Sequence, residues 1–384
     1  MKKKMLFITG TRADYGKLKP LMKAVEESEY FELYIYVGGM HLINILGSTY
    51  EEVLKEGYKN VYVAYGFTHY ANETSLNLGN TISQVTGYVN NIKPDMIVVH
   101  GDRIDALAGA IVGALKNIIV AHVEGGEVSG TIDESIRHAV SKFAHLHFVS
   151  NKEAKNRLVQ LGEDLESIFI IGSPDVDIMI SSGLPSLEEV KKRYEINFDN
   201  YSIFIFHPVT TEYNELGKNI KIVVDTLIKS NKKYIVIYPN NDLGSEIILN
   251  EYYRLKDNKN FILLPSMRFE YFLTLLKNTS FILGNSSVGI REANIYGIPS
   301  INIGTRQNGR YKINILKNIQ QVSEDVDEIL TAINRVDKYK IIQMYFGGGN
   351  STSKFIEIIT NNNIWNKKLQ KKFFDFKELN DSLI

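Results

Sequence analysis

Carboxylates gather just beyond two of the most apolar runs of the chain. The stretch AHVEGGEVSGTIDESIRHA, residues 121–139, places Glu124, Glu127, Asp133 and Glu134 directly after NIIV. Asp102 follows DMIVVH in the same way, within GDR. Carboxylates at strand ends can take and return protons, and two or more in different surroundings can divide the acid and base roles. Asp102 and Asp133 also stand where a helix would begin, so N-capping is a plain alternative for either. Glu134 falls in the first turn of that second helix. Capping does not account for Glu124, and Glu127 reads as structural.

A second set of residues suits an anion. GTRADYGK, after the first apolar run, puts Arg12 and Lys17 near a helix start, a geometry that favours phosphate. The glycine spacing misses the ATPase P-loop pattern, and Leu18 stands where that loop needs Ser or Thr. Arg103 places a cation at a helix N-terminus, which the helix dipole disfavours unless an anion binds there. FILGNSSVGIREA runs from a strand into Ser286, Ser287 and a helix bearing Arg291 and Glu292. Hydroxyls and backbone N–H groups of that kind cradle a phosphate, and an acid one turn on can grip ribose hydroxyls. Ser-rich capping is the competing explanation. His207 ends the run FIFHP, and GTRQNGR offers Arg306 and Arg310. The chain has no cysteine, which excludes disulfides, thiolate nucleophiles and thiolate metal sites. HExxH is absent, and no essential metal is expected.

These residues need strands to carry them. KMLFIT, ELYIYV, DMIVVH, NIIVAH, HLHFVS and IFIIG alternate with helix-patterned segments at 17–28, 73–92, 103–116, 133–144 and 151–161. That alternation predicts a parallel sheet covered on both faces. Pro, Ser and Gly concentrate between residues 172 and 186 and mark a boundary. A second series then begins with SIFIFHP, KYIVIYP, NFILLP, SFILGNSS and PSINIG. The expected fold is α/β, with two Rossmann-like doubly wound domains and a cleft between the carboxyl ends of their strands. Residues 1–178 would carry the carboxylates and 185–362 the nucleotide site, with FGGGNSTSKF a Gly loop before the last helix of that second domain. Residues 363–384 read as a terminal amphipathic helix and tail that packs back on the first domain.

Composition narrows the partners. The 384 residues include 44 basic and 44 acidic side chains, so there is no basic field of the kind nucleic-acid binders carry. No apolar run approaches the roughly 20 residues of a membrane span. The N-terminal apolar stretch, Met5 to Ile8, is too short for a secretory signal, and a soluble cytoplasmic protein is expected.

ITGTRADYGKLKPL, GMH, HGDR, HVEGGEVSGTIDESIRHA, GSPD, FHPVTTE, YPNNDLGSE, PSMRFEYF, GNSSVGIREA and GTRQNGR occur in order over nearly the whole chain. Together they resemble the hydrolysing UDP-N-acetylglucosamine 2-epimerases of bacterial sialic-acid synthesis. The resemblance implies a GT-B fold, no tightly bound cofactor, and conversion of UDP-GlcNAc and water into UDP and free N-acetylmannosamine. It assigns the acidic trio to Asp102, Glu124 and Asp133, with Glu134 a neighbour. It assigns nucleotide contacts to Arg12, Lys17, Arg103, His207, Asn240, Ser286, Ser287, Glu292 and Arg306, and its Met-His pair puts His41 near the sugar. It also implies a homo-oligomer, dimer or tetramer. The implied mechanism is UDP elimination to 2-acetamidoglucal followed by hydration. A bacillosamine-type UDP-sugar is an alternative substrate. The non-hydrolysing epimerase is a rival, although its acid loop carries a proline where this chain reads GTIDES. A nucleotide-sugar sensor is the non-enzymatic rival.

Overall fold

The computed structural model describes residues 2–43, 47–66, 73–129, 132–240, 242–309 and 315–372. The chain divides into two compact units. One holds the residues up to Glu127, then Ile132–Asp177, and the chain from Phe346 onward; the other holds Ile178–Tyr345 and the short stretch from Val128.

The first unit is a parallel sheet of β1 (Lys3–Thr9), β2 (Phe31–Val37), β3 (Val61–Val63), β4 (Met96–His100), β5 (Ile119–Val123), β6 (Leu146–Val149) and β7 (Ile168–Ile170). Its order is β3-β2-β1-β4-β5-β6-β7. Helices α1 (Arg12–Glu26), α2 (Tyr50–Lys55), α3 (Thr74–Ile92), α4 (Ile104–Leu115), α5 (Ile132–Phe143) and α6 (Lys152–Gln160) connect the strands. Strand residues are apolar on both faces because both are covered. Met5 and Phe7 pack on one side with Leu18 and Leu21 of α1, while Leu6 and Ile8 pack on the other with Val85 and Val89 of α3. Chain order reverses between β1 and β4, each of which starts a run in the opposite direction. In open α/β sheets the crevice at such a reversal is where ligands bind. The turns at Gly10–Arg12 and Gly101–Arg103 lie there.

After α7 (Pro174–Ile180) and α8 (Leu187–Arg193), the second unit repeats the plan. Its strands are β8 (Ser202–Ile205), β9 (Tyr234–Ile237), β10 (Phe261–Leu264), β11 (Ile282–Gly284), β12 (Ser300–Ile303) and β13 (Ile319–Val322). Its helices are α9 (Tyr213–Lys229), α10 (Ser245–Tyr253), α11 (Phe269–Lys277), α12 (Glu292–Tyr296) and α13 (Val326–Asn334). The order β10-β9-β8-β11-β12-β13 reverses between β8 and β11. His207 and Asn285–Ser287 follow those two strands. With two Rossmann-like parallel sheets, the fold is of the GT-B type.

Three expectations need correction. Residues 346–362 do not belong to the second unit. Phe355 and Ile359 of α14 (Ser351–Thr360) are fully buried in the first unit's core, where Phe355 meets Phe148 edge-on with ring centroids 4.9 Å apart. An amphipathic helix goes where its apolar face finds cover, whatever its place in the chain. The described part of the segment beyond it is not helical: a short 3-10 turn spans Asn362–Asn366 and no helix follows through residue 372, while residues 373–384 lie outside the described residues. Its side chains are tied one by one to the first unit instead. Trp365 lies 6.0 Å from Phe31, His145 Nε2 meets the Leu369 carbonyl at 3.0 Å, and Lys371 pairs with buried Glu163. Finally, β3 and β13 were not expected; each is a short edge strand, too brief to show a period.

One backbone position in the second unit tolerates no side chain. Gly284 ends β11 with φ +128, and a Cβ there would lie 1.9 Å from the Ile205 carbonyl oxygen of the paired strand β8. Gly284→Ala is expected to cost about 2–3 kcal/mol or more, read as a lowered urea midpoint. An unchanged midpoint would show that the strand ends can part without loss. Among the described residues no helix is long and apolar enough to cross a membrane.

Candidate active site

Glu124 is the first residue past β5, and its backbone is left-handed, with φ +62. A non-glycine residue in that region is strained and is held only where its surroundings over-determine it. Here they do. The Glu124 N–H donates to the Phe148 carbonyl at 2.9 Å, and the side chain is 5% exposed. Its Oε2 lies 3.1 Å from His100 Nε2 and 3.5 Å from Lys17 Nζ. Its Oε1 accepts from the Ser173 hydroxyl. Lys17 is shared with Asp175, whose Oδ2 is 3.1 Å away. One anionic side chain is thus gripped by a cation, an imidazole and a hydroxyl, all in the first unit.

The glycines after Glu124 are required by the scaffold's packing. A Cβ on Gly126 would meet the Ala154 carbonyl oxygen at 2.2 Å, and one on Gly125 would meet His122 Nδ1 at 2.8 Å. Glu127 is buried and accepts from the Ser150 hydroxyl, a structural contact.

Asp102 is not the cap of α4. That position belongs to Arg103, which makes no side-chain capping bond. The Asp102 carboxylate is drawn instead to Arg137 of α5 in a charge-assisted ion pair. Arg137 is buried and also donates to the Glu127 carbonyl at 3.3 Å. Asp133 and Glu134 sit half-buried in the first turn of α5, inside the helix, and Glu134 lies 3.5 Å from His138. The helix that carries them is therefore tied to Asp102 through Arg137. Behind Asp102, the Gly101 carbonyl takes a 2.8 Å hydrogen bond from His122 Nε2, while His122 Nδ1 meets the Ser141 hydroxyl at 3.0 Å. Burial lowers the His122 pKa to about 3, so the ring stays neutral and braces the turn.

At the end of β1, Asp14 organises the anion-suited turn. It accepts from the N–H groups of Gly10 (3.0 Å), Thr11 (2.9 Å) and Tyr15 (2.7 Å) and from the Thr9 hydroxyl (2.7 Å), and with Thr11 it forms the capping box of α1. Arg12 opens α1, 3.9 Å from Glu52. His41 is enclosed by its own turn. It is 0% exposed, with Nε2 3.0 Å from the Thr9 hydroxyl and Nδ1 2.8 Å from the Thr49 hydroxyl. Burial lowers its pKa to about 4, and it braces the β1 turn from behind.

In the second unit His207, Asn240, Asn285 and Arg306 form one hydrogen-bonded group. The His207 N–H donates to Asn285 Oδ1 (2.7 Å), the Asn240 N–H donates to His207 Nδ1 (3.0 Å), and Arg306 Nη1 donates to the Asn285 carbonyl (3.2 Å). Ser286 and Ser287 are half-exposed at the next two positions. The predicted single helix start is a 3-10 turn, Ser287–Gly289, followed by the short α12, which begins at buried Glu292. Arg310 lies outside the described residues. Among the described residues no cluster of three or more His, Asp or Glu is placed to hold a metal. The HxH pair His145 and His147 is spent on the Val120 N–H and on Glu163.

A family profile for UDP-N-acetylglucosamine 2-epimerase matches residues 23–360. The chain belongs to that family. It is 47% identical over 380 residues to the UDP-N-acetylglucosamine 2-epimerase of Neisseria meningitidis serogroup B, covering 97% of this chain and 99% of the relative. It is 31% identical to the hydrolysing UDP-N,N'-diacetylbacillosamine 2-epimerase of Legionella pneumophila, covering 94% and 96%. A crystal structure of a Neisseria meningitidis UDP-GlcNAc 2-epimerase bound to UDP-GlcNAc superposes with a TM-score of 0.80 at 19% identity, over 94% of this chain and all of that one. At that identity the superposition speaks for the fold alone.

For a UDP-N-acetylglucosamine 2-epimerase family member, several supporting residues escaped the sequence reading. His100, Arg137, His122 and Asp175 sit within quoted motifs, but nothing in their spacing says which acid each one serves. Ser173 lies in GSPD, 49 positions from the carboxylate it holds. Asn285 stands beside the predicted serines.

Proposed function

We propose that this protein is a hydrolysing UDP-GlcNAc 2-epimerase that releases UDP and free N-acetylmannosamine for sialic-acid synthesis. The observation that carries the reading is the strained, triply held Glu124 at a strand end, together with Asp102 held by Arg137. Such carboxylates are acceptors aimed in advance, as proton transfer at an unactivated sugar carbon requires. In the first stage a carboxylate takes the C2 proton while the C1–O bond to UDP breaks, giving 2-acetamidoglucal. In the second, water adds its oxygen at C1 and gives up a proton to a carboxylate, while a carboxylic acid returns a proton to C2 from the opposite face. His207, Arg306 and the Ser286–Ser287 turn suit the charge that grows on the departing diphosphate. A Staphylococcus aureus structure of the same fold, TM-score 0.75 at 22% identity, holds UDP, which favours UDP as the nucleotide.

The Legionella relative favours a second substrate, UDP-N,N'-diacetylbacillosamine, for the same chemistry. Turnover of the two UDP-sugars side by side decides between them. The expected result is a higher kcat/KM for UDP-GlcNAc, with UDP and free sugar formed in equal amounts by phosphorus and proton NMR. A higher kcat/KM for the diacetylated sugar would move the protein to the other pathway. Accumulation of UDP-N-acetylmannosamine would make it a non-hydrolysing epimerase.

A further inference from the structure

Asn285 follows the strand at which the second sheet reverses, and it is 1% exposed. Each of its polar groups is committed. Its N–H donates to the Ile205 carbonyl at 3.1 Å, which continues the β8–β11 ladder by one rung. Its side chain brackets a single residue of the neighbouring strand end: Oδ1 accepts the His207 N–H at 2.7 Å, and Nδ2 donates to the His207 carbonyl at 2.8 Å. Its own carbonyl accepts from Gln307 Nε2 at 2.7 Å and from Arg306 Nη1 at 3.2 Å. The side-chain amide thus ties the two strand ends at the reversal together, while the main-chain carbonyl of the same residue holds the arginine loop after β12.

The bracket has a chemical consequence at the imidazole. With the His207 backbone pinned on both sides, Nδ1 faces the Asn240 N–H at 3.0 Å. A backbone N–H can only donate, so Nδ1 must keep its lone pair. The ring is then neutral and carries its proton on Nε2. An Nε2–H donor stabilises an oxygen that gains negative charge, and it does so without the reorganisation that an unfixed ring would need. Aspartate at 285 would keep the acceptor but lose the donor, and it would set a carboxylate oxygen against the His207 carbonyl. An amide is the side chain that can offer one acceptor and one donor to the two sides of a peptide.

We propose that Asn285 is the positioning residue of the nucleotide site: its side-chain amide fixes His207 as the neutral Nε2–H tautomer, so that the ring serves the diphosphate. This rests on the assignment of UDP to the second unit. The test uses the full-length protein and UDP as the probe. In nitrogen–proton correlation spectra, with the His207 signal identified by its loss in His207→Gln, the wild type should show an acceptor-type Nδ1 and a protonated Nε2 at neutral pH. Asn285→Asp should weaken UDP roughly tenfold or more by calorimetry, raise the KM for the UDP-sugar more than it lowers kcat, and blur the tautomer signature into an average. An Nδ1–H tautomer or an imidazolium in the wild type overturns the proposal, even if the variant fails to fold. So does an Asn285→Asp protein that binds UDP as tightly as the wild type. Failure of the wild type and of His207→Gln alike to bind UDP would instead overturn the site assignment beneath it.

Discussion

Glu124→Gln should leave UDP affinity nearly unchanged and lower kcat by roughly 10²-fold to 10⁴-fold. The substitution preserves shape and removes the one property the site is built around. A carboxylate offers two acceptor oxygens, and three donors converge on them: Ser173 on Oε1, and His100 and Lys17 on Oε2. Glutamine can meet only part of that set, and its amide can neither take nor return a proton at sugar carbon. In the proposed reading the diphosphate is met by His207, Arg306 and the Ser286–Ser287 turn of the second unit, so UDP affinity should change little. Asp102→Asn should behave alike, because it withdraws the anion from Arg137 without emptying the space. A near-normal kcat in either variant would show that the acid in question holds structure and moves no proton. Ser173→Ala separates the two roles further. It leaves the carboxylate in place with one donor fewer, so a smaller loss of kcat is expected than for Glu124→Gln.

Asp105→Asn should stabilise the protein, and more so as the pH rises. Asp105 lies in the first turn of α4, is 4% exposed, and its Oδ1 has no hydrogen-bond partner among the described residues. It is wedged against the β1 turn and the segment after β2. A Cβ on Gly10 would come within 2.0 Å of its Oδ2, and one on Gly39 within 2.7 Å of its Oδ1. Burial, reinforced by the charge of Asp14, raises its pKa from 3.8 to about 7, against smaller opposing effects of its own backbone N–H and of Arg103. The sign follows from which state holds the proton. Between those two pKa values the native protein binds it and the unfolded chain does not, so stability falls as the pH rises, and above about 7 the loss is complete. The full span corresponds to about 4 kcal/mol. Asparagine keeps the shape and carries no such penalty. The stability gap between variant and wild type should therefore widen by about 2–3 kcal/mol between pH 5 and pH 8, measured by urea unfolding. A gap that stays constant with pH would show that Asp105 ionises as freely in the folded protein as in the unfolded chain.

Strand ends were the legible part of this sequence. Apolar runs such as MIVV and FILG are buried on both faces, so they announce themselves, and the polar residues that follow them stand at the carboxyl edge of a parallel sheet. That is why the positions of Glu124, His207 and Ser286 just beyond their strands could be read from pattern alone. What each one touches was not legible, because the partner comes from another βα unit. Capping and ion pairing compete for Asp102, and only the packing of α5, which brings Arg137 to it, decides the contest. His41 shows the opposite failure. The resemblance puts this ring near the sugar, and nothing in its spacing announces that Thr9 and Thr49 hold it. Domain membership of α14 was equally out of reach. Its apolar face would suit either core, and only three-dimensional closure sends Phe355 to Phe148.

The most direct measurement is a proton NMR time course of the wild-type protein with UDP-GlcNAc in D₂O. If a carboxylate removes the C2 proton and a solvent-exchanged acid replaces it from the other face, the product is free N-acetylmannosamine carrying deuterium at C2, formed in step with UDP. Free N-acetylmannosamine that retains protium at C2, or a sugar still linked to UDP, would contradict the account.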